Sequence, residues 1–409
     1  MVLLTSSGRK EALVFVAWRD LRFARGRFLL IGAVVALITL LVGFLAGLTG
    51  GLASQNVSAV LGLPGDRLVL QDPASGSPSF GTSEIDAETV QAWREAPGVS
   101  SVLPVGIAQG RAQLGGAGSA GFSGAAESSG ASGSAGASSS AGASVSSGGS
   151  PVGVALFGFS APSGAGEQTD LTELAPAEDD EVGLSAGAAK DLDASVGDRI
   201  SIAGSEYRVA KVGGDAWYSH TPVVAMTPAS WQAASQRMGG SGGDAVTVLA
   251  VSGSPDWDAV ASSTKTVAQP TLASLGALET FKSEIGSLGL MIAMLFGISA
   301  LVVGAFFTVW TMQRAGDIAV LKALGATTGS LVRDALGQAL VVLVLGIGVG
   351  LALVVGLGTL AGGALPFLLS PLTTALPAVI MAVLGLAGAA FALRSVTSAD
   401  PLTALGSHR

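Results

Sequence analysis

Residues 285–312 run for 28 positions without a charged side chain. The hydrocarbon core of a bilayer takes about 20 apolar residues to cross as a helix, so this stretch commits the chain to a membrane. Three more runs reach that length: 28–50, 335–359 and 376–393. The hydrophobic share is 49% and the charged share 12%, well under the roughly 25% charged residues of a soluble domain. Gly362, Gly363, Pro366, Pro371 and Pro377 punctuate the third and fourth runs and predict a tight hairpin between them. The first run exceeds the roughly 7–15 apolar residues of a cleavable signal, and no small-residue cleavage site follows it cleanly, so it reads as an uncleaved anchor.

Charge sets the orientation. Residues 1–27, the loop after the second run and the C-terminal tail carry Arg9, Lys10, Arg19, Arg22, Arg25, Arg27, Arg314, Lys322, Arg333, Arg394 and Arg409 and sum to +6, whereas 51–284 sums to −14. Basic loops stay on the cytoplasmic side. Both termini and the 313–334 loop are therefore expected in the cytoplasm of a multi-pass cell-membrane protein (plasma or inner membrane), with the large acidic region outside.

The expected fold class is an α-helical membrane protein with four transmembrane helices and an α+β extracytoplasmic domain inserted between the first and second. Residues 1–27 read as a cytoplasmic amphipathic basic helix lying along the inner leaflet. Residues 28–60 form the first span and its outward extension, and 61–270 the external domain. Residues 271–312 are stalk and second span, 313–334 a cytoplasmic helical loop, 335–359 the third span, 360–375 the external hairpin, 376–394 the fourth span and 395–409 the tail. Within the external domain Arg67 to Gln71, Val99 to Ala112, Val152 to Phe159, Pro222 to Met226 and Val246 to Val251 have strand character. Val196 to Ile202 and Glu206 to Val212 add two strands joined by a Gly-containing turn. Ile85 to Ala96, Pro228 to Arg237 and Pro255 to Ala268 read as helices. Glu178 to Glu181 reads as a solvated acidic turn. Residues 113–150 are almost wholly Gly, Ala and Ser, which cannot bury enough apolar surface to offset their ordering entropy, so a disordered insertion is expected there.

Some chemistry is excluded outright. There is no cysteine, and His220 and His408 are the two histidines. Thiolate sites and a multi-histidine metal centre therefore do not arise within one chain. No Gly-x-x-x-x-Gly-Lys-Ser/Thr run occurs, so no P-loop holds a nucleotide. No intrinsic cofactor and no nucleic-acid partner are expected.

Several motifs fall on this topology in order: Ala17-Trp18-Arg19-Asp20-Leu21-Arg22 before the first run, Val196-Gly197-Asp198-Arg199-Ile200 and Tyr207-Arg208-Val209 in the external region, Leu321-Lys322-Ala323-Leu324-Gly325-Ala326 after the second run, and Asp400-Pro401-Leu402-Thr403-Ala404-Leu405 near the end. In these the chain resembles the MacB/FtsX-type (type VII) ABC transporter permeases. Tyr218-Ser219-His220-Thr221-Pro222 and Gly304-Ala305-Phe306-Phe307 extend the likeness to the haem-exporting HrtB/DevC group. The resemblance implies a non-catalytic permease homodimer embedded in lipid, driven by two copies of a separate ABC ATPase that binds ATP, and extruding haem or a similar lipophilic compound. An FtsX-like regulator of an external enzyme, or an exporter of antibiotics or lipoproteins, is the alternative. Small residues of the first run, Gly32, Ala36, Gly43, Gly47 and Gly50, suit close helix approach in such pairs.

The resemblance also implies roles for single residues. Asp317, Leu321, Lys322, Leu324 and Gly325 would couple the second span to the ATPase, the leucines in a groove and the charges at its rim. A haem substrate needs an apolar slot and a Lewis base for iron. Glu284 and Met291, seven positions apart on one helical face, are the candidate iron ligands, with Glu279 before the span and with Asn56 and Gln55 completing a slot formed with the second span across the dimer. The plainer reading leaves Glu279 and Glu284 in the headgroup zone, Met291 and Met294 as packing, and His220 as a turn cap.

Overall fold

The computed structural model describes residues 25–115, 150–162, 168–240, 243–313, 316, 320, 327–362 and 365–397. Outside them lie most of the expected N-terminal helix, the bulk of the Gly/Ala/Ser insertion, the Asp317, Leu321, Lys322, Leu324 and Gly325 segment, and the Asp400-Pro401 motif. The chain divides into two compact units: 53–284, and 1–52 with 285–409.

Unit 53–284 begins with the end of helix α1 (Arg25–Leu61). Strand β1 (Arg67–Gln71) follows, then α2 (Ala87–Glu95), β2 (Val99–Leu114), β3 (Val152–Gly158) and β4 (Glu181–Leu184). Next come α3 (Ala186–Leu192), β5 (Arg199–Ile202), β6 (Ser205–Val212), β7 (Trp217–Tyr218), β8 (Thr221–Met226) and α4 (Pro228–Arg237). The unit closes with β9 (Val248–Gly253), α5 (Trp257–Thr264), β10 (Thr266–Pro270), α6 (Thr271–Ser274) and the first turns of α7 (Glu279–Gln313).

The strands form one sheet in the order β10-β1-β9-β2-β3-β8-β4-β6-β5, and β2 also pairs with β5. That last pairing, Ala112 with Ile202 and Leu114 with Ile200, closes six of the strands into a barrel. The 16-residue β2 therefore belongs to two structures, an antiparallel sheet with β9, β1 and β10 and the closed barrel.

Alternation along the strands sorts side chains among three cores. Val154 and Leu156 of β3 and Val224 and Met226 of β8 fill the barrel. Their neighbours Ala155, Phe157, Val223 and Ala225 face a second core, shared with Leu68, Leu70, Val248 and Ala250 of the open sheet and with Val57, Ala59 and Val60 of α1. Val69, Leu249 and Val251 face a third core under α2 and α5, around Trp93. Burying both faces explains why these strands read as near-continuous apolar runs. Helix α2 starts at Asp86, whose side chain accepts the Thr89 N–H at 2.8 Å. That bond holds the Asp86 carboxyl below its ordinary range.

Three sequence expectations are corrected here. The helix expected over Pro255 to Ala268 stops at Thr264, because Lys265 takes a left-handed conformation (φ 52°). Thr266 to Pro270 then turn into the edge strand paired with β1. Glu181 is no solvated turn residue: it opens β4, is buried, and accepts a charge-assisted hydrogen bond from Arg208. Gln113 and Leu114, assigned to the insertion, are β2 residues paired with β5.

The other unit holds the apolar length of α1 and α7, then α8 (Thr328–Ala361) and α9 (Pro371–Thr397). Among the described residues, four helices are long and apolar enough to cross a membrane, at 29–61, 279–309, 335–361 and 371–391. Their shared core includes Val35 and Val42 of α1, Val303 and Phe307 of α7, Leu343 and Ile347 of α8, and Met381 of α9. Gly43 and Gly47 of α1 meet this same chain. A Cβ at Gly43 would lie 2.7 Å from Val354 of α8, and one at Gly47 would strike the Phe367 ring. The Leu368 N–H donates to the Gly47 carbonyl at 3.0 Å, seating residues 366–368 on α1.

Candidate functional site

The hairpin between β7 and β8 organises the polar centre of unit 53–284. Its two turn residues, Ser219 and His220, both have positive φ, 47° and 64°, the signature of a type I′ hairpin turn. Non-glycine residues adopt that conformation at a cost of roughly 1–2 kcal/mol each, so neighbouring bonds must hold it. They do. The Ser219 N–H donates to the Asn56 carbonyl and the His220 N–H to the Gln55 carbonyl, both at 3.0 Å. Ser58 Oγ accepts the Trp217 N–H at 2.9 Å, and Thr221 Oγ1 donates to the Tyr218 carbonyl at 2.7 Å.

Side chains from α1, the hairpin and α7 converge at this turn. Asn56 is fully buried. Its Nδ2 donates to Glu284 Oε2 at 3.1 Å, and its Oδ1 accepts from Thr280 Oγ1 at 3.0 Å. His220 Nε2 lies 2.9 Å from the same Glu284 oxygen, and Ser219 Oγ lies 3.3 Å from Thr280 Oγ1. Because Oε2 is the acceptor, His220 must present an Nε2–H, which leaves Nδ1 with its lone pair when the ring is neutral. The imidazole and carboxylate side chains are 37% and 25% exposed, so the pair is neither sealed from solvent nor fully wet.

Beside this cluster lies a cavity of about 430 Å³ lined by Phe80, Ile107, Tyr218, Ser219, Glu279 and Thr280 among others. Phe80 and Phe157 both meet the Tyr218 ring edge-on, at 6.4 and 5.6 Å between centroids. Burial pushes the Tyr218 phenol above its ordinary range.

Of the residues expected from sequence, Asn56 and Glu284 are in direct contact within one chain rather than across a dimer. Gln55 contributes its backbone carbonyl, and Glu279 lines the neighbouring cavity. Met291 belongs to the other unit and is exposed. His220 occupies its turn and reaches the carboxylate as well. Ser219 and Thr280 are additions that no linear signal marks, since the cluster joins positions as far apart as 228 residues. Among the described residues no group of three His, Cys, Asp or Glu side chains is arranged to hold a metal ion.

Residues 289–401 match the FtsX-like permease C-terminal family. Across 393 residues, 96% of this chain and 99% of the relative, the sequence is 22% identical to a putative hemin transport system permease protein HrtB of Staphylococcus haemolyticus. Residues 289–401 thus carry an FtsX-like permease C-terminal domain, and the chain is similar to an HrtB-type permease along its length. It is also 28% identical over 129 residues to a putative HrtB of Staphylococcus epidermidis, covering 32% of this chain and 37% of that one. Two solved structures are similar at low overlap. The periplasmic region of MacB from Actinobacillus actinomycetemcomitans gives a TM-score of 0.31 at 11% identity, over 52% of this chain and 92% of that one. The extracellular domain of the ABC-type transporter YknZ from Gram-positive bacteria gives 0.26 at 10%, over 48% and 87%.

Proposed function

We propose that this permease is the membrane subunit of an exporter that extrudes haem or a similar planar lipophilic compound, powered by a separate ATPase. The observation that carries the reading is the end-to-end likeness to a putative hemin transport permease, together with an FtsX-like C-terminal domain. Unit 53–284 faces outward and both termini lie in the cytoplasm, as the distribution of basic residues requires. Two copies form the working permease, each with one ATPase seated on the 313–334 segment through Asp317, Leu321, Lys322, Leu324 and Gly325.

Substrate recognition belongs to the outer end of α7. An iron porphyrin needs an axial base, and the Glu284 carboxylate, oriented by Asn56 and His220, supplies one. Met291 is the second candidate ligand, with Glu279 and Gln55 near the entrance. A carboxylate so near an apolar span is costly unless it has a task or a partner, and Glu284 has partners in Asn56 and His220. ATP-driven closure of the ATPases tilts the 313–334 segment and moves α7 as a lever.

Haemin titration of the permease in nanodiscs tests the site. The Soret maximum is expected to shift in the wild type and to lose that shift in Glu284→Ala. An identical titration in both variants removes Glu284 from the site. Deletion of the gene is expected to sensitise cells to haemin; a deletion strain with normal haemin tolerance and blocked division would sink the export reading in favour of an FtsX-like regulator.

A further inference from the structure

We infer that the cavity beside the β7–β8 turn binds an amphiphilic compound through its protonated amine. The hydroxyl protons around this turn all run one way. Asn56 Nδ2 donates to Glu284 Oε2 at 3.1 Å, which fixes the orientation of the amide and leaves Oδ1 as its acceptor. Thr280 Oγ1 donates to that oxygen at 3.0 Å. A hydroxyl has one proton and two lone pairs, so the threonine proton is committed there. Ser219 Oγ, 3.3 Å from Thr280 Oγ1, must then be the donor of its pair. With its own proton spent, Ser219 Oγ offers a ligand lone pairs alone. It is the outer end of a chain that runs through Thr280 and Asn56 to the Glu284 carboxylate, and bonds in such a chain polarise one another. Each step strengthens the serine oxygen as an acceptor.

Ser219 and Thr280 line the cavity of about 430 Å³ together with Glu279. Glu279 is exposed, and among the described residues it is the one charged side chain in that lining. Phe80, Ile107, Leu278 and the Tyr218 ring supply an apolar wall, with Phe80, Leu278 and Tyr218 all buried. The volume falls in the range of about 300–1,000 Å³ typical of small-molecule sites, which combine such walls with a few placed polar groups.

An acceptor hydroxyl beside a carboxylate calls for a ligand that donates and carries positive charge. An alkylammonium has donors and no acceptor, and its bond to a carboxylate is about twice as strong as a neutral one. The net charge of −14 over residues 51–284 raises the local concentration of cations. Haem, whose propionates are anionic, gains nothing from Glu279, so this is a second ligand class and does not rest on the export reading. Two sources carry the same chemistry, a free lipophilic amine and the ethanolamine headgroup of a phospholipid. Glu279 opens α7 six residues before the uncharged run that starts at Ile285, about 9 Å of helix, which is close enough to that run for either.

Calorimetric titration of the full-length permease in phosphatidylcholine nanodiscs, with empty discs as the blank, tests the site. The probes are phenylbutylammonium, the neutral phenylbutanol and the anionic phenylbutyrate. The ammonium is expected to saturate the protein, the alcohol to bind roughly tenfold more weakly, and the acid not to bind. Glu279→Gln is expected to weaken the ammonium roughly tenfold and to leave the alcohol unchanged, a split that misfolding cannot produce. Ammonium and alcohol binding equally overturns the proposal, and so does an unchanged ammonium affinity in Glu279→Gln or the lack of saturable binding by the wild type. Discs rich in phosphatidylethanolamine separate the two sources. A fall in phenylbutylammonium affinity there, absent in Glu279→Gln, assigns the site to the headgroup, and an unchanged affinity assigns it to a free amine. None of these readouts involves haemin, so they stand whether or not Glu284 binds iron.

Discussion

Replacing Asn56 by Ala tests whether the buried amide holds the β7–β8 turn against α1 and α7. The side chain is fully buried and makes two hydrogen bonds, one to the Glu284 carboxylate and one from Thr280. A bond to a charged group contributes about 1.5–3 kcal/mol and a neutral one about 1 kcal/mol. Glu284 is 25% exposed, so water recovers part of the first term, and the expected loss is about 2–3 kcal/mol. For a domain of this size each kcal/mol moves Tm by roughly 2–4 °C, so near-ultraviolet dichroism of the full-length permease should show a drop of about 4–12 °C. Exchange of the Ser219 and His220 amides, bonded to the Asn56 and Gln55 carbonyls, should quicken in parallel. Thr280→Val made in the same background should cost less than it does alone, because its partner is already gone. A Tm within about 2 °C of wild type, or fully additive losses in the double variant, would refute the reasoning.

Three further outcomes follow from packing and charge. Tyr218 has its phenol pKa raised by burial, so its neutral form stabilises the fold below the unfolded value near 10 and that contribution is lost as pH rises; the wild type should show an alkaline unfolding limb above about pH 10, and Tyr218→Phe should remove it. Asp86 has its pKa lowered by the Thr89 backbone bond, so its contribution is present above the unfolded value and fades as pH falls. Asp86→Ala should cost about 1 kcal/mol at pH 7, and the difference should shrink toward zero in thermal melts run below about pH 3.5. A Cβ at Gly51 would stand 1.8 Å from the Pro366 carbonyl oxygen. Gly51→Ala should therefore lower the yield of folded, monodisperse permease in detergent by at least severalfold, at a cost of about 1–3 kcal/mol or more, while Gly286→Ala, which meets nothing within 4 Å, should leave it unchanged.

The sequence was most legible where one local rule acted alone. Unbroken apolar length marked all four long helices. Alternation located β1 to the residue, and Pro228 marked the start of α4, which Thr227 caps. Reading failed where a distant partner decided the matter. Glu181 looked solvated among four acids, yet Arg208 draws it into the barrel. Val267 and Ala268 looked helical, yet Leu70 and Val69 recruit them as strand. Within the stripe of small residues on α1, Gly43 and Gly47 have Val354 and Phe367 of the same chain against them, while Gly32 is open. Asn56 and Glu284 were picked for chemical type, whereas their contact, and the part played by His220, Ser219 and Thr280, depends on a turn that no spacing reveals.

The order of strands also governs how the protein is made. β1 is the first strand synthesised, but its two partners, β9 and β10, are the last; Arg67 bonds to a carbonyl 201 positions downstream. At roughly 5–20 residues per second, translation leaves β1 unpaired for about 10–40 s. During that interval Leu68, Val69 and Leu70, each at most 1% exposed once folded, remain open to solvent or to another nascent chain. Such non-local closure is slow and prone to aggregation, so production of this permease should depend on holding factors that bind the emerging segment until Pro270 arrives.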